Sequence, residues 1–204
     1  CLVSSFPLEW MTTRIIGNLS VQETRIPFYP MVTDINNGNE VIITKGSVAE
    51  AVRMSCGLPG LFPAVCKGEF RYIDGGVSNN VPASVVRKAG ADFVVASNVI
   101  PSSPSRKKTT RDNYFINWLT GQTIGRANDL MRSLFLLFWR AGCDRSQHAD
   151  YLIDLAPSDY HPTDFHKSDK IADQAYELAE SHMPFILDAY NAKKTNGNPE
   201  KETV

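Results

Sequence analysis

Between Phe70 and Ala96 the sequence spells a strand, a glycine turn, a helix and a second strand. Phe70-Arg71-Tyr72-Ile73 is rich in residues that fit a pleated surface, and it runs straight into Asp74-Gly75-Gly76. Pro82 then opens a helix at its first turn, and Gly90 closes it. Phe93-Val94-Val95-Ala96 is a continuous apolar run, the mark of a buried strand of the parallel type. Strand, helix and strand in that order argue for an α/β layered sheet.

The flanking segments fit the same plan. Ile26 to Ile35 reads as a strand, Asn36-Asn37-Gly38-Asn39 as a turn whose residues tolerate positive φ, and Val41-Ile42-Ile43-Thr44 as the returning strand of a hairpin. Ser47-Val48-Ala49-Glu50 matches a capping box, so a helix runs from there to about Cys56, and Gly57-Leu58-Pro59-Gly60 ends it. Downstream, Pro101 to Arg111 is a Pro, Ser and basic loop, Phe115 to about Ala141 is a long helical region, and Tyr151 to Leu155 is a final core strand. Asp169 to about Lys193 is a helix with Ile171, Ala175, Leu178 and Ala179 on its apolar side, and the polar stretch Thr195 to Val204 is expected to be disordered. The expected division is a main domain over 1–157 with the basic loop at about 101–112, a helical extension over 158–193 and a tail over 194–204.

Bulk composition excludes several classes. Lys plus Arg total 21 against 22 for Asp plus Glu, a net charge of -1, so the excess positive charge that nucleic-acid binding demands is absent. The longest apolar run, Leu134 to Trp139, falls far short of a membrane span. The four cysteines, Cys1, Cys56, Cys66 and Cys143, form no CxxC and no regular framework, which points to reduced thiols and a cytoplasmic or peripheral membrane protein. The chain starts at Cys1 rather than at a methionine and shows no signal peptide, so a fragment, a processed chain or a trimmed chain is expected.

The chemistry centres on Asp74-Gly75-Gly76. A carboxylate at a strand end, followed by two glycines, stands where α/β sheets build their sites, and glycine permits close backbone approach or unusual φ and ψ. Such an aspartate can orient or deprotonate a hydroxyl nucleophile. Taken alone, the same three residues read first as a turn aspartate that bonds its own backbone.

The surroundings decide between these readings. In order come Pro27-Phe28, Val32-Thr33-Asp34-Ile35, a Gly-containing turn, a short strand, Ala49 through Arg53-Met54-Ser55 on a helix, and Leu58-Pro59-Gly60-Leu61-Phe62-Pro63. A hairpin, Tyr72-Ile73-Asp74-Gly75-Gly76-Val77, Asn79-Asn80-Val81-Pro82 and Gly90-Ala91-Asp92 complete the series. This series resembles the patatin-like phospholipase family, nearest its bacterial and neuropathy-target-esterase-like branches. The resemblance covers roughly the first 100 residues and continues more weakly to Leu155. It implies a three-layer α/β/α sandwich with a mostly parallel sheet, present here as its C-terminal part. It also implies a serine lipid acyl hydrolase of phospholipase A, lysophospholipase or esterase type, without a cofactor, built on a Ser-Asp dyad. Carried onto this chain, Asp74 is the base, and Gly75 and Gly76 shape its turn. The alternative is a non-catalytic module of the same fold that binds lipid or another protein.

The family's Gly-x-Ser-x-Gly elbow and its Gly-rich oxyanion loop are both absent from these 204 residues. The nucleophile is therefore expected on an N-terminal segment outside the chain, and the chain alone is expected to be inactive. Two near misses exist. Arg53-Met54-Ser55-Cys56-Gly57 lacks the first glycine and falls in a helix end, while Gly76-Val77-Ser78-Asn79-Asn80 lacks the last glycine and sits too close to Asp74 to form a strand, elbow and helix. His148, His161, His166 and His182 show no metal spacing, and surface or loop positions suit them best. Asp154 caps a strand or borders the site. Met131 through Trp139, flanked by Arg126, Arg132 and Arg140, reads as a helix packed on the sheet or as a peripheral membrane contact. The expected partner is a lipid or ester substrate, not nucleic acid.

Overall fold

The structure is a computed structural model, and it describes residues 3–100, 133, 136–138, 140, 146–155 and 165–196. The chain divides into two compact units, Cys1–Val86 and Arg87–Val204.

The first unit holds a four-stranded sheet. Its strands are β1 (Met31–Asp34), β2 (Glu40–Ile42), β3 (Val65–Lys67) and β4 (Phe70–Asp74), in the order β2-β1-β4-β3, antiparallel at every pairing. The central strand β1 is buried along its whole length, and Val32 is fully covered. The strand expected from Ile26 begins at Met31, because Pro27 and Pro30 offer no N–H to a ladder. The Asn36–Asn39 turn forms as expected. Gly38 takes a φ of 76°, and its N–H reaches the Asp34 carbonyl at 2.8 Å. The Asp34 carboxylate braces the same turn, accepting from Asn36 N at 3.1 Å and from Asn37 Nδ2 at 3.0 Å.

Helix α2 (Val48–Ser55) carries the expected cap, with Ser47 Oγ accepting from Glu50 N at 3.4 Å. The reach-back half of the capping box is replaced by ion pairing, as Glu50 Oε1 meets Lys67 Nζ at 2.5 Å. Ala49, Ala51 and Met54 are buried on the inner side of α2, and Met54 joins Val32 and Val65 in the core under the sheet. Burying a side chain of that size stabilises the unit by about 1.5–3 kcal/mol.

Helix α1 (Phe6–Ile16) lies against α2 and was not anticipated from the sequence, because all its apolar residues but Leu8 mark an exposed face. Glu9, Thr12 and Thr13 are partly covered, whereas Phe6, Trp10, Met11 and Ile15 are 67, 60, 53 and 79% exposed. The two threonine hydroxyls satisfy themselves on the helix, at Leu8 O and Glu9 O. Arg53 Nε approaches Glu9 Oε2 at 2.7 Å as an ion pair, out of line for a hydrogen bond, and its guanidinium covers the Phe6 ring at 4.9 Å. The short helices α3 (Gly76–Asn79) and α4 (Ala83–Lys88) follow β4.

In the second unit β5 (Val95–Asn98) pairs in parallel with β6 (Tyr151–Asp154). Val94 and Ala96 are buried while Val95 is 44% exposed, so the apolar run alternates rather than being covered on both faces. The long helix α5 (Ser168–Asn196) places Ile171, Ala175 and Ala179 half-buried, with Leu178 exposed. Asp150 is the polar junction of this unit. It takes Arg87 and Lys193 as ion partners and accepts from Val94 N at 2.8 Å.

The protein is therefore of the α/β class. Its parallel pairing is found at β5 and β6, which are separated by a connection long enough to cross over, while the tight turns at Asn36–Asn39 and Gly68 make the pairs β1–β2 and β3–β4 antiparallel. The loop expected at Pro101–Arg111, most of the helical region Phe115–Ala141, His161 and the tail from 197 onward lie outside the described residues.

Candidate functional site

Asp74 is the last residue of β4 and pairs with Val32 across the sheet. Its backbone is fixed on both sides. Asp74 N donates to Gly57 O at 3.0 Å, and Asp74 O accepts from Thr33 Oγ1 at 2.9 Å. The β4 strand, the α2 exit and the central strand β1 thus each hold one part of it.

The two glycines are needed for space. Both lie outside the positive-φ set, and Gly75 sits at φ -66°, an ordinary helical value. A Cβ on Gly75, however, would lie 2.3 Å from Met31 O and 2.6 Å from Met31 C, inside the backbone of β1. A Cβ on Gly76 would stand 3.0 Å from Asp74 Oδ1. The turn is thus drawn tightly against β1, and the Gly76 N–H points back at the carboxylate, donating to Asp74 Oδ1 at 2.7 Å.

That contact leaves the carboxylate asymmetric. Oδ1 is engaged, while Oδ2 accepts no hydrogen bond among the described residues. Asp74 is half-buried, and burial pushes its carboxyl above the usual carboxylate range, with the Gly76 bond pulling partly the other way. The neighbouring Cys56 thiol is also pushed up, first by desolvation and then by the charge of Asp74. A carboxylate with one fixed oxygen, one oxygen without a hydrogen bond among the described residues and a raised pKa is suited to taking a proton from a hydroxyl placed against it.

Ser78 is tied into the scaffold. Its Oγ pairs with Thr33 Oγ1 at 2.9 Å and leans on Gly75 O at 3.4 Å, and it makes no bond to the Asp74 carboxylate. Ser55 closes α2, half-buried, and likewise makes no bond to that carboxylate. His148, His166 and His182 lie in the second unit, where His182 Nδ1 meets Tyr151 OH at 2.9 Å. Asp154 accepts from Asn98 Nδ2 at 3.1 Å, across the β5–β6 pair. Among the described residues, no group of three His, Cys, Asp or Glu side chains could hold a metal, and no helix is long and apolar enough to cross a membrane.

Sequence reasoning overlooked three residues around Asp74. Thr33 holds its carbonyl, Cys56 borders its carboxylate, and Asn79 packs behind the turn with 2% exposure. The signal for Thr33 was available in principle. Aligning β1 against β4 antiparallel puts Thr33 opposite Ile73, one residue from the aspartate.

The model of the patatin-like phospholipase family matches residues 5–87. An uncharacterized NTE family protein of Mycobacterium tuberculosis is 40% identical over 70 residues, 34% of this chain and 12% of that protein. The neuropathy target esterase sws of Drosophila melanogaster is 36% identical over 85 residues, 41% of this chain and 6% of its own length. The patatin-like phospholipase domain-containing protein 7 of Mus musculus is 27% identical over 182 residues, 81% of this chain and 13% of its own length. The chain therefore spans a small part of each relative. The match over residues 5–87 takes in Asp74, both glycines and the strands and helices that hold them, and in that segment the chain is similar to the patatin-like phospholipase family.

Proposed function

We propose that this chain is the aspartate-bearing part of a lipid acyl hydrolase, in which Asp74 is the base of a Ser-Asp dyad and the serine lies outside these 204 residues. The observation that carries the reading is the Asp74 carboxylate itself, half-buried at a strand end, with Oδ1 held by Gly76 N and Oδ2 without a hydrogen bond among the described residues. The family match and the esterase and phospholipase names of the relatives support the substrate class.

In this mechanism Oδ2 accepts the proton of the serine hydroxyl as its oxygen attacks the acyl carbonyl. The ester bond breaks, the departing alcohol takes that proton from Asp74, and an acyl-serine remains. Water then attacks the acyl-serine, again giving its proton to Asp74, and the serine recovers a proton as the fatty acid leaves. With no histidine between them, serine and aspartate must touch, and the raised pKa of Asp74 brings the base closer to working pH. The chain by itself binds no acyl group covalently.

Contact with a lipid surface belongs to the same reading. Helix α1 turns Phe6, Trp10, Met11 and Ile15 outward, and its outward charge is Arg14, while its acid, Glu9, is held inward by Arg53. Aromatic and aliphatic side chains beside a cation suit the headgroup layer of a bilayer.

The test is Asp74→Asn in the full-length protein. Asparagine keeps an oxygen for the Gly76 N–H and cannot accept the serine proton. Ester hydrolysis should fall by about 10³-fold or more, by comparison with loss of other catalytic aspartates. Hydrolysis at the parent rate would refute the proposal.

A further inference from the structure

We infer that Asn79 is a positioning residue for Asp74, acting through a polar link between Asn79 on α3 and Glu40 on β2. The inference rests on Asp74 being the base.

Asn79 is 2% exposed, and burying an amide is unfavourable unless its hydrogen bonds are made. It makes two bonds that together span the turn. Its backbone N–H donates to Gly75 O at 2.8 Å, and its side-chain Nδ2 donates to Glu40 Oε2 at 2.9 Å. Because the carboxylate can only accept, the amide orientation is set, with Nδ2 toward Glu40 and Oδ1 away from it. Oδ1 is buried and has no hydrogen-bond partner among the described residues. An unsatisfied buried oxygen disfavours this arrangement, so packing alone does not account for an asparagine here.

The sheet explains what the link achieves. Glu40 lies opposite Thr33 in the β1–β2 register, and Thr33 Oγ1 donates to Asp74 O at 2.9 Å. Two adjacent points of the sheet therefore reach the turn by separate routes, Thr33 to the carbonyl of Asp74 and Glu40 through Asn79 to the carbonyl of Gly75. Fixing both carbonyls fixes the peptide between Gly75 and Gly76, whose N–H holds Asp74 Oδ1 at 2.7 Å. Asn79 thereby sets the direction of Oδ2 without touching the reacting atoms.

The experiment uses the full-length protein, with hydrolysis of a short-chain acyl ester as readout and thermal unfolding as the check on folding. Asn79→Asp sets a carboxylate against Glu40, so the link becomes repulsive. Its kcat should fall about tenfold at alkaline pH, with KM unchanged, the equivalent of one charge-assisted hydrogen bond. Combining Asn79→Asp with Glu40→Gln reverses donor and acceptor, because the glutamine amide can donate to the new carboxylate. The double variant should recover kcat to within about threefold of the parent. A folded Asn79→Asp protein with parental kcat at every pH, or a double variant as slow as the single one, overturns the inference. If Asn79→Asp does not fold, Glu40→Ala at the exposed edge strand takes its place. It should lower kcat about tenfold with KM unchanged, and parental kcat there overturns the inference equally. Asp74→Asn, run in parallel, separates the two levels. Activity in that variant removes the reading on which the inference rests, whereas inactivity there with a neutral Asn79→Asp removes the inference alone.

Discussion

The carbonyl oxygen of Met31 occupies the space that a side chain on Gly75 would need, 2.3 Å from where its Cβ would be built. The Asp-Gly-Gly turn is therefore fixed by contact with the central strand and not by an unusual backbone angle. Gly75→Ala must push β1 and β4 apart, and β1 is the fully buried strand of the unit. A loss of about 3 kcal/mol is expected, the upper range for overpacking, measured by urea unfolding.

Gly76→Ala should behave differently. The group met by its Cβ is Asp74 Oδ1 at 3.0 Å, the end of a side chain that can rotate. Rotation breaks the bond from Gly76 N, so activity of the full-length protein should drop about tenfold while the unfolding midpoint moves little. Comparable losses of stability in both glycine variants would show that the second glycine is structural only.

Thr33→Val removes the hydroxyl that holds Asp74 O and pairs with Ser78 Oγ. A cost of about 1–2 kcal/mol is expected for the two stranded partners, and Thr33→Ser should recover most of it. Equal stability in the valine and serine variants, read by thermal unfolding, would show that the hydroxyl is not holding the turn.

Two aspartates of this chain should move stability with pH in opposite directions. Asp74 has a folded pKa raised by burial, so its contribution is favourable below its unfolded pKa and is lost as pH rises through the folded value. Asp74→Asn should accordingly raise Tm at neutral pH and leave it nearly unchanged in acid. Asp150 is the reverse case. Although desolvation acts to raise its pKa, the bonds from Lys193, Val94 and Arg87 outweigh that and lower it to about 2. Its contribution is present above the unfolded carboxylate pKa and fades as pH falls toward about 2. Asp150→Asn should lower Tm at neutral pH and match the parent near that acid limit. Differential scanning calorimetry across pH distinguishes the two signs.

Trp10→Glu places an acid in the outward face of α1. Binding of the full-length protein to vesicles containing anionic phospholipid should weaken about tenfold, with hydrolysis of a soluble short-chain ester unchanged. Unchanged vesicle binding would mean that α1 does not meet the lipid surface.

Much of the candidate site's local structure was legible because its devices are local. The hairpin turn at Asn36–Asn39, the Ser47 cap, the strand into Asp74 and the glycine pair are each written in neighbouring residues. The strand start at Met31 was missed by five residues because apolar content was weighed above the missing N–H groups of Pro27 and Pro30. Helix α1 escaped because most of its apolar residues mark an exposed face, while its covered face sets Leu8 among Glu9, Thr12 and Thr13, with Glu9 held by Arg53. Thr33, Glu40 and Asn79 escaped because their roles exist only once β2, β1 and β4 are laid side by side. A hydrogen bond between residues 39 positions apart leaves no trace in local pattern.

The position of the nucleophile is decisive. Full-length protein labelled with a fluorophosphonate and mapped by peptide mass should carry the adduct on a serine outside these 204 residues, and Asp74→Asn should abolish the labelling. An adduct on Ser55 or Ser78, or undiminished labelling in the Asp74→Asn protein, would contradict it.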